Sequence, residues 1–249
     1  MNAVNNLLVA SIVLSTSFVA SAEQTPEKLF NGSFSGSLEI ASDYVFRGES
    51  EVADGEIPAV KGSFTWTHDS GTYAGLYSAT NKFESTPDIY AVVAPYIGKF
   101  GSFGDSGFTY NAFVFHYTYP GVKDMDYTEL WMKVAKDFDG VKVELEVTPT
   151  LNDWFGVDGW SGVNYAVHPS MSFANDVTLS GSVGYQELSG DGAEGWTHWN
   201  LGVSKIFYGL TLDLRYHDTD VDSSHKVYGD EQGRKIFDQR FVFAVRKSF

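Results

Sequence analysis

Residues 141–148 read VKVELEVT. Val141, Val143, Leu145 and Val147 alternate with Lys142, Glu144, Glu146 and Thr148. Successive side chains of a strand point to opposite faces, so this period of two marks a strand with one apolar and one polar face. The alternation returns over residues 177–186, where Val177, Leu179, Val183 and Tyr185 oppose Thr178, Ser180, Ser182 and Gln186. It returns over 210–217, and over 34–47, where Phe34, Leu38, Ile40, Tyr44 and Phe46 oppose Ser35, Ser37, Glu39, Asp43 and Arg47. Beyond residue 22 there is no long apolar run and no sustained helical period. The pattern predicts about twelve strands. They fall at 34–47, 59–68, 72–81, 88–99, 107–118, 127–138, 141–150, 162–173, 177–186, 196–207, 210–218 and 236–249. The strands at 88–99 and 107–118 carry apolar groups on both faces, and periodicity leaves their inner face open.

Tight turns and long loops alternate between these strands. Asp69-Ser70-Gly71, Asp139-Gly140, Asn175-Asp176 and Tyr208-Gly209 are hairpin turns. The connections at 48–58, 152–161, 187–195 and 219–235 are longer and acidic. An up-and-down meander collects the short turns at one end and the long loops at the other, the pattern of an outer-membrane barrel. The expected fold is all-β: a transmembrane antiparallel up-and-down β-barrel with both termini periplasmic. A soluble barrel or sandwich would bury the apolar face instead. Strand lengths near the ~9–11 residues of a tilted membrane strand favour an outward apolar face. So do aromatics near strand ends, Phe34, Tyr44, Phe46, Trp66, Tyr73, Trp196, Trp199 and Phe249, which would form interfacial girdles.

Composition narrows the partners. The 249 residues include 17 Lys and Arg against 32 Asp and Glu, a net charge of −15. Such a chain lacks the basic face that a phosphate backbone requires, so no nucleic-acid partner is expected. The absence of cysteine removes disulfide frameworks, cysteine zinc sites and cysteine nucleophiles.

The two ends carry targeting signals. Residues 7–20, LLVASIVLSTSFVA, are an apolar run too short to span a bilayer comfortably, which favours a signal peptide over the alternative of an N-terminal anchor helix. Ala20-Ser21-Ala22 then supplies the small residues of a signal-cleavage site, although the opening MNAVNN has no Lys or Arg. The chain divides into a signal peptide over 1–22, a short periplasmic segment over 23–33 and a barrel over 34–249. The expected location is the outer membrane of a Gram-negative bacterium. Residues 240–249, RFVFAVRKSF, place Phe241, Phe243, Val245 and Phe249 on one face of the last strand. A terminal Phe on such a strand is similar to the signal read by the outer-membrane barrel-assembly machinery.

A family resemblance follows from several short strings. Ala41-Ser42-Asp43-Tyr44-Val45-Phe46-Arg47-Gly48, then Ser50, resembles the opening strand of TorF-like porins of proteobacteria. Pro58-Ala59-Val60, His68-x-Ser70-Gly71-x-Tyr73-Ala74-Gly75, Tyr119-Pro120-Gly121 and Tyr127-x-Glu129-Leu130 resemble that family too. The resemblance is densest before residue 131. It departs after Leu76, where Ser78-Ala79-Thr80-Asn81 stands in place of a Ser-Asn-Val ending. It implies an outer-membrane barrel with a transport function, and it supplies no substrate and no catalytic residue.

With the polar faces inward, the pore would be lined by Glu39, Asp43, Arg47, Lys61, Glu129, Lys133, Glu144, Glu146, Asp213, Arg215, Asp238 and Arg240, joined by Lys142 and Arg246. Pairing of the first and last strands would bring Glu39 and Asp43 near Arg240 and Arg246. The last two strands would set Asp213 and Arg215 beside Asp238 and Arg240. Such charges either brace the wall as cross-strand pairs or set selectivity. The expected function is an outer-membrane porin, a passive diffusion channel for small polar or charged solutes, with no cofactor and no metal. Its partners would be those solutes, outer-membrane lipid and lipopolysaccharide. The alternatives are a barrel enzyme, either lipid hydrolase or protease, and a structural or adhesin barrel. His68-Asp69-Ser70 and His168-Pro169-Ser170 have the His-x-Ser spacing of outer-membrane phospholipase A, and Asp218 with His225 could serve at a rim. Asp218, Asp220 and Asp222 look like a calcium run, but the glycine and twelfth-position Glu of an EF-hand are absent.

Overall fold

The computed structural model describes residues 31–53, 55–83, 89–122 and 124–249. The expected signal peptide, and all but the last three residues of the segment at 23–33, lie outside the described residues. The strands in chain order are β1 (Gly32–Ala41), β2 (Val45–Phe46), β3 (Glu49–Ser50), β4 (Ala59–His68), β5 (Thr72–Thr80), β6 (Ala91–Ser102), β7 (Phe108–Tyr117), β8 (Tyr127–Phe138), β9 (Val141–Pro149), β10 (Ser161–Phe173), β11 (Val177–Ser189), β12 (Trp196–Phe207), β13 (Leu210–Thr219) and β14 (Arg240–Ser248). One helix, α1 (Glu231–Phe237), precedes the last strand. Every strand except β2 and β3 joins a closed antiparallel barrel of twelve. The barrel closes where β1 meets β14, with Glu39 opposite Arg246 and Ile40 opposite Val245.

Turn chemistry fixes the short connections. Asp139-Gly140 and Tyr208-Gly209 both hold φ positive at two successive residues. That is the primed turn whose twist matches the strands it joins. The five short connections, after β4, β6, β8, β10 and β12, and both ends of the described barrel, Gly32 and Ser248, lie at one rim, called here the turn end. The longer connections lie at the other, the loop end.

The barrel is inside-out relative to a soluble fold. Leu38, Ile40, Phe64, Ile97, Leu145, Val183, Leu201, Leu214 and Phe243 stand exposed on the outer wall, while Glu39, Glu129, Lys133, Glu144, Glu146, Asn164 and Gln186 are buried inside. An apolar exterior around a polar interior matches a lipid surround, not water. At the turn end, Phe34, Phe138, Phe173, Phe207, Tyr208 and Phe249 form an exposed aromatic fringe. Phe34, Trp66, Trp199 and Phe249 keep the outward places expected of them. Tyr44, Phe46, Tyr73 and Trp196 instead lie inside, within the main aromatic cluster.

That cluster settles the two ambiguous strands. β5 to β8 turn Tyr73, Tyr77, Tyr96, Phe113, Phe115, Tyr117 and Trp131 into the lumen, all buried. Tyr96 stacks on Phe115, Phe113 on Trp131 and Tyr117 on Tyr127, with centroids 5.7, 5.6 and 4.4 Å apart. Half of the interior is therefore packed with rings, and the open space runs along the other half. A twelve-stranded barrel thus leaves a narrower path than its circumference implies.

Two boundaries differ most from expectation, beyond shifts of three residues in β6 and at the end of β11. β1 ends at Ala41, not at residue 47, because the chain turns into the lumen at Ser42. The last strand starts at Arg240, not at 236, because residues 231–237 form α1, capped by Asp230 accepting from the Gly233 N–H at 2.6 Å.

Candidate functional site

The segment that leaves β1 forms a small hairpin across the barrel. Val45 pairs with Ser50 and Phe46 with Glu49. Arg47 and Gly48 make its two-residue turn, with φ of 51° and 88°. Gly48 is required twice over, since its φ is left-handed and an added Cβ would sit 2.2 Å from Thr219 Cγ2. At the base, Asp43 accepts from Ser50 Oγ at 2.8 Å and pairs with Arg240 of β14 at 2.8 Å.

At the tip, Arg47 reaches the far wall. Its guanidinium donates to both carboxylate oxygens of Glu129 on β8, at 2.8 and 3.1 Å, and to Gln186 Oε1 on β11 at 2.9 Å. Trp196 of β12 donates its indole N–H to the Arg47 carbonyl at 2.8 Å. The charge also lies over the rings of Phe46, Trp131 and Trp154, at 4.6, 5.2 and 5.8 Å. Tyr117 donates to Glu129 at 3.0 Å. A bidentate pair buried this fully, ringed by aromatics, holds the hairpin in one place.

Toward the turn end the hairpin roofs a lumen cavity of about 420 Å³, lined by Arg47 and Gly48 above and by residues of β8 to β14 around. Its charges are arranged by wall. On β8 and β9, Lys133 is shared by Glu144 and Glu146, at 2.9 and 3.0 Å. Asn164 and His168 of β10 also contact Glu146, at 3.0 and 3.3 Å. On the opposite wall by strand order, Arg246 of β14 lines the cavity and shares Glu39 of β1 with Lys61 of β4; Glu39 and Lys61 line a smaller space beside it. One side thus has two acids to one base, and the other two bases to one acid. Between them on β13, Arg215 pairs with Asp213 at 3.1 Å and donates to Asn200 at 2.7 Å and Ser180 Oγ at 2.8 Å.

Of the residues expected to line the pore, Glu39, Lys61, Glu129, Lys133, Glu144, Glu146, Asp213 and Arg215 face inward from the wall. Asp43 and Arg47 face inward from the hairpin, not from β1. Arg240 stands at the loop-end edge, holding Asp43. Asp238 departs from the expected place: it follows α1, is exposed and is not among the residues lining this cavity. Nor do Asp213 and Arg215 meet Asp238 and Arg240, since they lie opposite Ala244 and Val242. The expected neighbours Glu39–Arg246 and Asp43–Arg240 do meet. Phe241, Phe243 and Phe249 are exposed on the outer face of the chain end. Gln186, Trp196 and the ring wall escaped the sequence reading because a search for charges passes over neutral anchors.

The hydrolase-like pairs resolve into local structure. Ser70 donates its backbone N–H to His68 Nδ1 at 3.0 Å within a tight turn. His168 lies in the lumen against Glu146. His225 accepts from the Val227 and Tyr228 N–H groups, and Asp218 accepts from Tyr216 and Thr219, so the two do not form a dyad. Asp220 and Asp222 likewise accept from the Thr197 and Ser224 N–H groups.

Toward the loop end, the other side of the hairpin forms the floor of a second cavity, of about 770 Å³. Glu49, Ser50 and Ala53 contribute the floor; the loop after β9 contributes Trp154, Phe155 and Trp160. Gly156 permits that loop, because a Cβ there would fall 1.5 Å from the Asp124 carbonyl oxygen.

A closed twelve-stranded barrel with an apolar exterior, a charged lumen and an inward hairpin is a barrel of the outer-membrane type. The chain belongs to Gcw_chp, a family of bacterial proteins of unknown function, whose profile matches residues 25–249. No curated protein matches the sequence. Among solved structures, the KdgM porin is similar at a TM-score of 0.57 and 10% identity, over 86% of this chain and 99% of its own. The NanC porin follows at 0.54 and 10%, over 86% and 98%. An outer-membrane channel from Pseudomonas putida F1 aligns at 0.50 and 10%, over 91% and 100%. At these identities the likeness is one of fold.

Proposed function

We propose that the protein is an outer-membrane channel for small polar or charged solutes, narrowed by the hairpin that Arg47 anchors. The observation that carries this reading is the charged cavity of about 420 Å³ inside a barrel whose outer wall is apolar. The opposed walls of the lumen, acid-rich on β8–β9 and base-rich where β4 and β14 flank β1, would orient a polar solute in transit. The resemblance to TorF-like porins, and the fold shared with KdgM and NanC, support the same assignment. One KdgM structure is a complex with disordered oligogalacturonate, which illustrates a barrel of this shape taking a polar solute. In this reading the chain is exported by residues 1–22, the turn end and both termini face the periplasm, and the loops face outward against lipopolysaccharide. Phe241, Phe243, Val245 and Phe249 present the assembly signal. The protein is a channel, not an enzyme.

The test is single-channel conductance of the refolded mature chain in a planar bilayer, with selectivity from a salt gradient. Small, discrete, ohmic steps are expected. Replacing Glu144 and Glu146 together with Gln removes both acids of one wall and should move selectivity toward anions. A folded barrel that never conducts would overturn the channel reading and favour a structural or adhesin role.

A further inference from the structure

The cavity at the loop end is of the size that takes a whole small molecule. Phe83, Phe155, Trp160 and Tyr228 supply its ring surfaces, and Glu49 and Asp230 its acids. Glu49 is only 9% exposed, yet among the described residues no hydrogen bond or ion pair reaches its carboxyl. Two residues on, Glu51 is 3% exposed. It accepts from Asn81 Nδ2 at 2.6 Å through one oxygen, and its other oxygen has no partner. Nearby bases are committed elsewhere. Arg47 is held by Glu129 behind the hairpin, and Lys82 pairs with Glu56 at 2.7 Å.

Buried carboxyls without a cation, beside a wall of rings, define what would complement them. Ring faces attract positive charge. A hard metal ion needs several oxygen ligands in its shell, and this wall offers rings where those oxygens would be. An anion would face Glu49 and Asp230, and Lys82, the base that also lines this cavity, is already paired with Glu56.

We infer that this mouth cavity binds a small organic ammonium ion bearing an apolar or aromatic group, with Glu49 as its counter-charge and the rings of Phe155, Trp160 and Tyr228 around it. Binding here does not depend on conduction, since a sealed barrel would bind as well. Failure of this inference and failure of the channel reading are therefore separable.

The probe is benzyltrimethylammonium chloride, titrated calorimetrically above pH 8, where Glu49 is ionised, into the full refolded chain in detergent, with phenylacetate as the anion of similar ring. Saturable binding near one equivalent is expected for the ammonium ion and none for phenylacetate. Glu49→Gln and Trp160→Leu should each weaken binding at least tenfold while the β circular dichroism stays unchanged. Trp160→Leu carries the test alone if Glu49→Gln does not refold. Absence of saturable heat, equal binding of phenylacetate, or undiminished affinity in a folded variant would overturn the inference.

Discussion

Arg47 ties together strands that are far apart in the chain. Its side chain holds β8 and β11 and its carbonyl holds β12. Truncating it leaves Glu129 buried without its counter-ion, a change that costs about 3–5 kcal/mol in comparable buried pairs. Arg47→Ala is therefore expected to release the hairpin and raise single-channel conductance severalfold, with the barrel still folded. Unchanged conductance would show that the hairpin does not limit the path. Glu49 supplies a second prediction at this scale. Burial pushes its carboxyl up to about 8, and Glu51 is raised as well, first by burial and then by Glu49. Asp43 and Glu51 share its loop, Arg47 lies behind it, and Asp230 and Tyr228 face it from the loop before β14. A carboxyl raised in the folded state favours the seated hairpin at low pH. That contribution is lost as pH climbs from the unfolded value, about 4.3, through about 8. Amide exchange of residues 45–50, corrected for intrinsic rates, should accelerate across that window in the native chain and much less in Glu49→Gln.

The hairpin of β2 and β3 shows where reading by element fails. Residues 34–47 alternate apart from Ala41, Ser42 and Val45, so periodicity extends one strand to Arg47. Nothing in the alternation separates a wall residue from one that hangs inside the same lumen, because both bury the polar face. The local signal was Gly48, a residue suited to positive φ, standing where a loop was already expected; Arg47 at φ 51° gives no such signal. Gly48→Val should act on the turn directly, since its side chain would meet Thr219. Its conductance is expected to match that of Arg47→Ala, and a native-like value would remove the turn from the account. The barrel strands were far easier to read, because alternation persists wherever lipid lies on one side and charge on the other. β6 and β7 were the exception, and their inward rings explain it: with Phe113 and Phe115 inside and Val114 between them outside, both faces read as apolar.

At the scale of the whole molecule, the outer wall and the lumen should respond in opposite ways to the same substitution. Leu201 stands 59% exposed at mid-strand on β12, and its neighbour Asn200 faces the cavity. Leu201→Arg should cost about 2–4 kcal/mol at the bilayer midplane. Asn200→Arg should cost far less and should change ion selectivity. Urea unfolding in liposomes distinguishes the two, and equal costs would contradict the lipid-facing assignment. The circle itself was legible from turn spacing and strand lengths, whereas its filling was not, because packing of rings across a lumen leaves no period in the chain. One consequence concerns the order of assembly. The hairpin departs from the first strand, yet its anchors lie on β8, β11, β12 and β14, the last of these supplied by the closing strand. Its seat does not exist until the ring is shut. The full set of contacts that fixes the constriction is therefore complete only in the closed ring, so a barrel lacking its last strand would lack the Arg240 tether as well.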